Sequence, residues 1–581
     1  MKKVLSIFCK CVIGILLTAV GFAVAIWAAS SVVGIYNRHE IDERISSDVE
    51  IGNTTYYVSP QGNDSNDGKS PATSWQTIEK VNQTKFKPAD RILFEGGKTF
   101  VGTLRFDSDD IGTPANPIRI ASYGKERATI NAASGDGISI DDSMGFEISN
   151  LNIIGSGREL NKGSGISFIN RLAGDIKLDY IRVRSIEVSG FGDYGIRIEG
   201  RQGRGGFRNV VIENTDAHDN GLAGIRIFGK LRILALDIFS PGPLRYSHEN
   251  VTIRRVKAHH NPGKPGVGSQ HSGTGIVLSD TDGAVIEDSV AFENGWLCDS
   301  RHGGPVGIWA WDSNNIVIQR NESYSNKTGG KYDGGGFDFD GGVANSVMQY
   351  NYSHDNDGPG FLLMQFSFAR EWTNNTVRYN ISENDGRKNS YGGIHIWGDV
   401  TNAFIYNNTV ISNQARDAQP RGLAIRQSGE TPFFGNAIAR DLVIANNIFV
   451  TGGNAPIVEA TLGTSTISFQ HNNYYSSDSN FEVTWNNSTY RNLSEWSEST
   501  RQERRGDGLA GFSVNPNFAA CNIASNPFTR QISLCLRVDS PLIDKGLDLK
   551  SAFRIETGDK DFRGMKIPNA GYEIGAFEVN R

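Results

Sequence analysis

The sequence predicts a solenoid of stacked β-strands, and three observations carry that prediction. A phrase, Gly-apolar-x-apolar, returns ten times, at Gly137, Gly165, Gly195, Gly224, Gly275, Gly307, Gly336, Gly360, Gly393 and Gly422. All but one of the steps are 24 to 33 residues, a repeat period whose unit here is a strand and not a helix. The second strands of the repeats end on Asn, at Asn220, Asn261, Asn294, Asn326 and Asn356. Asn tolerates left-handed geometry, and its amide can bond the backbone of the next coil. This column is therefore expected to be a structural ladder. His218, His259 and His354, each two residues before such an Asn, are read as corner residues and not as catalysts.

The elements follow in order. Lys2, Lys3 and Lys10 precede an uncharged stretch from Cys11 to Tyr36. Residues 1–36 are thus expected to be a membrane helix acting as signal-anchor, with an inside N-terminus and an exported body. Small residues at Ala23, Ala25, Ala28 and Ala29 keep a cleaved secretion signal open as the alternative. Residues 37–53 are polar and read as a tether. Residues 54–116 open with a loop-rich run, YVSPQGNDSNDG, and are placed to cap the solenoid and form its first coils. Residues 117–475 carry the repeats. The step from Gly224 to Gly275 is enlarged to 51 residues, with extra material at 229–250 and 262–273 that predicts long surface loops, where function often sits. Residues 476–581 are expected to be C-terminal coils and a cap. Cys521 and Cys535 close a short segment there, either as a disulfide in an oxidising compartment or as two thiols.

The YVSPQGNDSNDG start, the glycine-led coils with Asn corners, and the SPLIDKG and YEIGAFE ending together resemble the right-handed parallel β-helix proteins of the pectate-lyase-like superfamily. The resemblance covers about residues 55–580. It implies an all-β fold, a single-stranded right-handed parallel β-helix, here with an N-terminal membrane helix. It leaves the reaction open, because that superfamily holds polysaccharide lyases, glycoside hydrolases, uronate epimerases and non-catalytic surface proteins.

Strand alternation then sorts the repeats into columns. With each repeat Gly as zero, positions plus one and plus three face in, and plus two and plus four face out. The outward columns gather Arg197, Arg226, Trp309, Asp338 and His395 at plus two, and Trp311, Asp340, Trp397 and Arg426 at plus four. Tryptophan rings stack on sugar faces, and arginines pair with substrate carboxylates. Asp338 and Asp340, two apart on one strand, are expected roughly 6–7 Å apart. That separation suits an acid and a base for inverting glycoside hydrolysis. The rival reading is a Ca²⁺ site completed by Asp333 and Asp312, and the bland one is turn aspartates among glycines. His395 lies two coils past Asp338, roughly 10 Å away, and can serve as a base or a substrate contact.

Other chemistries lack their signatures. A net charge of -6 gives no broad basic surface for nucleic acid. The glycine runs lead into neither Lys-Ser/Thr nor a helix, so no phosphate loop is implied, and there is no CxxC pair or HExxH. The leading expectation is an exported glycoside hydrolase that cleaves a polysaccharide in an outward groove and requires no cofactor. The alternatives are a polysaccharide lyase or uronate epimerase, with Ca²⁺ possible, and a glycan-binding protein without catalysis.

Overall fold

The computed structural model describes residues 51–230, 245–268, 271–366, 369–427, 438–461, 466–522, 531–568 and 570–579. The expected membrane helix at 1–36 and residues 37–50 of the tether lie outside the described residues. Among the described residues, no helix is long and apolar enough to cross a membrane.

One coil serves as the pattern. It runs through Val306–Trp311, Asn314–Gln319 and Glu322–Tyr324. Its corners fall at Asp312, Arg320 and Ser325, which adopt φ of 47°, 53° and 51°. The next coil repeats it with Gly335–Phe339, Val347–Gln349 and Tyr352–His354, each strand paired parallel to its counterpart. Repetition builds one 14-stranded sheet and a 23-stranded sheet that wraps the other two faces. Plus-one and plus-three side chains fill the interior as predicted: Ile308, Ala310, Phe337, Phe339, Ile394 and Ile396 are all fully buried.

The Asn column is a hydrogen-bonded ladder. The backbone N–H of each of Asn220, Asn261, Asn294 and Asn326 donates to the side-chain oxygen of the next Asn, at 2.9–3.3 Å, and Asn356 donates to Asp385 Oδ1 at 3.1 Å. A second ladder, not foreseen, runs through Asn321, Asn351, Asn380, Asn408, Asn447 and Asn472 and ends on Glu503. The three corner histidines stand in a stack of rings, His218, His259, Phe292, Tyr324 and His354, with successive centroids 4.6–5.0 Å apart.

The two ends close differently. Trp75 stacks on Tyr56 at one end, with centroids 4.7 Å apart. At the other, the helix Leu493–Thr500, N-capped by Asn492, seats fully buried Trp496 against Phe469, Tyr474 and Trp485. Residues 476–581 do not continue as regular coils throughout. Ile532, Leu534, Phe562 and Phe577 fold back onto Tyr352 and Ile381 on the outside of earlier coils. An apolar patch on that face gives the tail a better place to bury surface than a further rung would. Cys521 and Cys535 are joined as a disulfide.

Candidate active site

The 14-stranded sheet sets the predicted columns in register. Arg197 pairs with Arg226, Arg226 with Val277, Val277 with Trp309, Trp309 with Asp338, Asp338 with Leu362 and Leu362 with His395. These side chains point away from the interior, yet solvent does not reach most of them. Asp338 is 3% exposed, His395 2% and Trp309 4%. The open groove expected from strand alternation is therefore corrected to a covered one. His271, in the enlarged loop, sets its ring 5.3 Å from Trp309. Phe366 packs on Gly341, where an added Cβ would meet its ring at 2.2 Å. Tyr391 sets its ring 5.0 Å from His395. Loops have no period, so strand counting could not reveal the cover.

Beneath the cover stand three buried carboxyl groups. Asp333 sits at a left-handed turn, φ 49°, just before the strand Gly335–Phe339. Its Oδ2 accepts from Gly304 N–H at 2.6 Å, and its own N–H donates to the Tyr391 hydroxyl at 3.0 Å. Asp338 Oδ1 is buried without a hydrogen-bond partner. Asp340 Oδ1 accepts from Gly341 N–H at 2.6 Å. Burial raises all three pKa values. Asp338 stands well above the ordinary carboxyl range, with Asp340 and Asp333 adding to the rise, and Asp340 is pushed up to about 7 by burial and by Asp333. Asp333 is raised by burial, which His271 and the hydrogen bonds to Gly304 and Tyr391 oppose.

These residues do not fit the Ca²⁺ site that the sequence left open. Asp312 is drawn aside by Arg370, 3.4 Å away, which also pairs with Asp280 at 3.2 Å. Ca²⁺ takes six to eight oxygen ligands. Among the described residues, no group of three or more His, Cys, Asp or Glu is placed to hold a metal ion.

A cavity of about 510 Å³ opens beside the carboxyls, lined among others by Arg226, Phe228, His271, Trp309, Trp311 and Asp340. The structure thus brings four predicted residues to one space: Trp309, Trp311, Arg226 and Asp340. Arg197 and Asp338 flank that space as register partners of Arg226 and Trp309. Trp397 and Arg426 are register partners further along the sheet, with Arg426 paired to Glu459 at 3.1 Å. Arg197 forms an ion pair with Glu199. His395 was expected to titrate near neutrality. Burial, with Arg426 and Arg421 adding to it, instead holds its pKa well below the ordinary value, so the imidazole is neutral and a weak base. Its Nδ1 accepts from Gly392 N–H at 3.2 Å. Three contributors were missed. His271 lies in a loop that the sequence had flagged for length alone, and Tyr391 and Phe366 carry no periodic signal.

Fold and comparison agree on the class of protein. A family model described as "Right handed beta helix region" matches residues 173–410. The parallel coils agree with that description: the chain folds as a right-handed parallel β-helix. Among curated proteins, it is 25% identical over 501 residues to a lacto-N-biosidase of Bifidobacterium longum subsp. longum, an alignment spanning 70% of this chain. The chain spans only 29% of the length of that relative. Among solved structures, the GH136 lacto-N-biosidase from Eubacterium ramulus is 18% identical with a TM-score of 0.48, covering 70% of this chain and 69% of that one. The pectate lyase Pel9A is 16% identical with a TM-score of 0.40, covering 92% and 98%. The likeness to these structures is one of fold.

Proposed function

We propose that the protein is a carbohydrate-active enzyme, a glycoside hydrolase that takes an oligosaccharide or chain end into the covered cavity. The observation that carries this reading is Asp340, a carboxyl group on the cavity wall that keeps its proton close to neutrality. A protonated carboxyl beside stacking tryptophans is what departure of a glycosidic oxygen requires. Asp340 is the general acid. Asp333, which accepts from Gly304 N–H and faces His271, is the carboxylate best supplied to carry negative charge as its partner. Asp338, first expected to share acid and base roles with Asp340, has an Oδ1 without a hydrogen-bond partner among the described residues to stabilise its charged form. It stands between the other two and holds its proton. Trp309 and Trp311 offer ring faces to sugars. Similarity to a lacto-N-biosidase over most of this chain supports hydrolysis over elimination.

A cavity of about 510 Å³ beside covered carboxyls favours a short glycan over the interior of a long polymer. We place the body outside the cytoplasm, a reading supported by the basic residues ahead of the uncharged 11–36 segment and by the Cys521–Cys535 disulfide. The test is incubation with an oligosaccharide panel, reading reducing ends and the absorbance of unsaturated uronate together. Reducing ends without unsaturated product, lost in Asp340→Asn, are expected. Unsaturated product, or full activity in that variant, would overturn the assignment.

A further inference from the structure

One wall of the cavity carries positive charge that the chemistry above does not use. Arg197 and Arg226 are register partners on adjacent coils, so they leave the sheet about 4.8 Å apart. Both guanidinium groups lie over the same two rings. Arg226 is 4.4 Å from the Phe228 centroid and 5.4 Å from that of Tyr194, and Arg197 is 5.8 and 5.9 Å away. Two carboxyl groups line the cavity, Glu199 and Asp340. Glu199 is taken by Arg197 and by Arg201, and Asp340 is on the coil that pairs with Trp309, at the far end. Asp193, near Tyr194, is held by Lys264 at 3.0 Å. Arg226 therefore makes one hydrogen bond, 2.9 Å to the neutral Tyr194 hydroxyl, and no ion pair among the described residues. Exposed Lys230 lines the same end. Like charges on adjacent rungs repel, and a partly buried guanidinium without a counter-ion gains when an anion enters.

We propose that this end of the cavity binds an anionic substituent of the glycan, a carboxylate or a sulfate, with Arg226 as the residue that recognises it. The proposal rests on the glycan reading of the site and narrows it to acidic sugars. Arg226 lies three coils from Asp338, roughly 14 Å along the stack. The recognised anion therefore belongs to a different sugar from the one whose bond is cleaved. A planar carboxylate suits the guanidinium fork through two parallel hydrogen bonds.

The test measures calorimetric binding and turnover on the full-length protein with three matched pairs: a sialylated oligosaccharide and its unsialylated form, a sulfated one and its unsulfated form, and a uronate-terminated one and its methyl ester. The pair that responds identifies the anion. The acidic member is expected to bind about ten- to a hundred-fold tighter, a preference that weakens as salt rises. Arg226→Gln is expected to abolish the preference and Arg226→Lys to retain part of it, which separates loss of charge from loss of fold. Equal binding within every pair, or a preference that survives Arg226→Gln, overturns the proposal. Turnover without anion preference would overturn the anion site and leave the hydrolase reading standing. Anion-dependent binding without turnover would do the reverse.

Discussion

Replacing Asp340 with Asn tests catalysis and stability at once, with opposite signs. Burial lifts this carboxyl from 3.8 to about 7. The folded state thus binds the proton more tightly than the unfolded chain does. The stability this contributes is fully present below the unfolded value and is lost as pH rises through the folded one. Each pH unit between the two values is worth 1.36 kcal/mol, so the total lost is about 4 kcal/mol as an upper figure. Asn keeps the shape of the neutral acid and cannot ionise. The variant is therefore expected to match the wild type most nearly at pH 4, to gain on it up to about pH 7, and to keep that gain at pH 8. Thermal melts of both proteins at pH 4, 6 and 8 read this difference directly. Activity moves the other way: loss of the general acid is expected to cost about 10²- to 10⁴-fold in kcat, and wild-type activity is expected to fall above about pH 7 as the acid ionises. A stability gap that stays flat with pH, or widens against Asn, would refute the buried-acid argument. Undiminished turnover would refute the catalytic one.

Three further outcomes follow from other parts of the molecule. Asn380→Ala removes an amide that donates to Asn408 and Met348 and accepts from Asn351, leaving buried groups unpaired; a loss of about 2–4 kcal/mol is expected in denaturant unfolding, with hydrogen exchange rising first at neighbouring rungs. Gly341→Ala puts a methyl group where Phe366 lies, 2.2 Å from its ring; the cover must move, and kcat/KM is expected to fall by up to about a hundred-fold with little change in melting temperature. Reducing the Cys521–Cys535 bond, which spans 14 residues, is expected to loosen the tail by about 3 kcal/mol and to leave turnover unchanged. Proteolysis of the tail under reducing conditions checks the first part, and the glycan assay checks the second.

Much of this architecture was legible because it repeats. Counting from each glycine placed Ile308 and Phe337 inside and Trp309 and Asp338 outside, and gave the coil-to-coil register from Arg197 to His395. What does not repeat was not legible. The fate of Arg426 depended on Glu459, which continues the outward column one rung past Ala424 in a coil without the repeat glycine, and that of Asp312 on Arg370, which lies in a loop. His395 sits at its predicted register position, yet its chemistry was inverted by loops whose paths no period describes. The second ladder was missed for another reason. Asn321 and Asn351 lie five residues ahead of the Asn column that was read, inside the run of the same coils, yet both are fully buried rungs.

Both ladders run one way. Every rung donates its backbone N–H and one amide N–H to the C-terminal neighbour, gives the amide's other N–H to a carbonyl of the preceding coil, and accepts at Oδ1 from the rung before. Such a chain cannot end on another Asn without leaving donors unmet. The two chains end instead on Asp385 and Glu503, side chains that accept these bonds and need no onward Asn. A whole coil in the middle can be duplicated or deleted, since each rung presents the same face to the next. The coil bearing the carboxyl stop cannot be removed in this way. Evolution can therefore lengthen or shorten this solenoid by editing interchangeable internal units while the terminal one stays fixed.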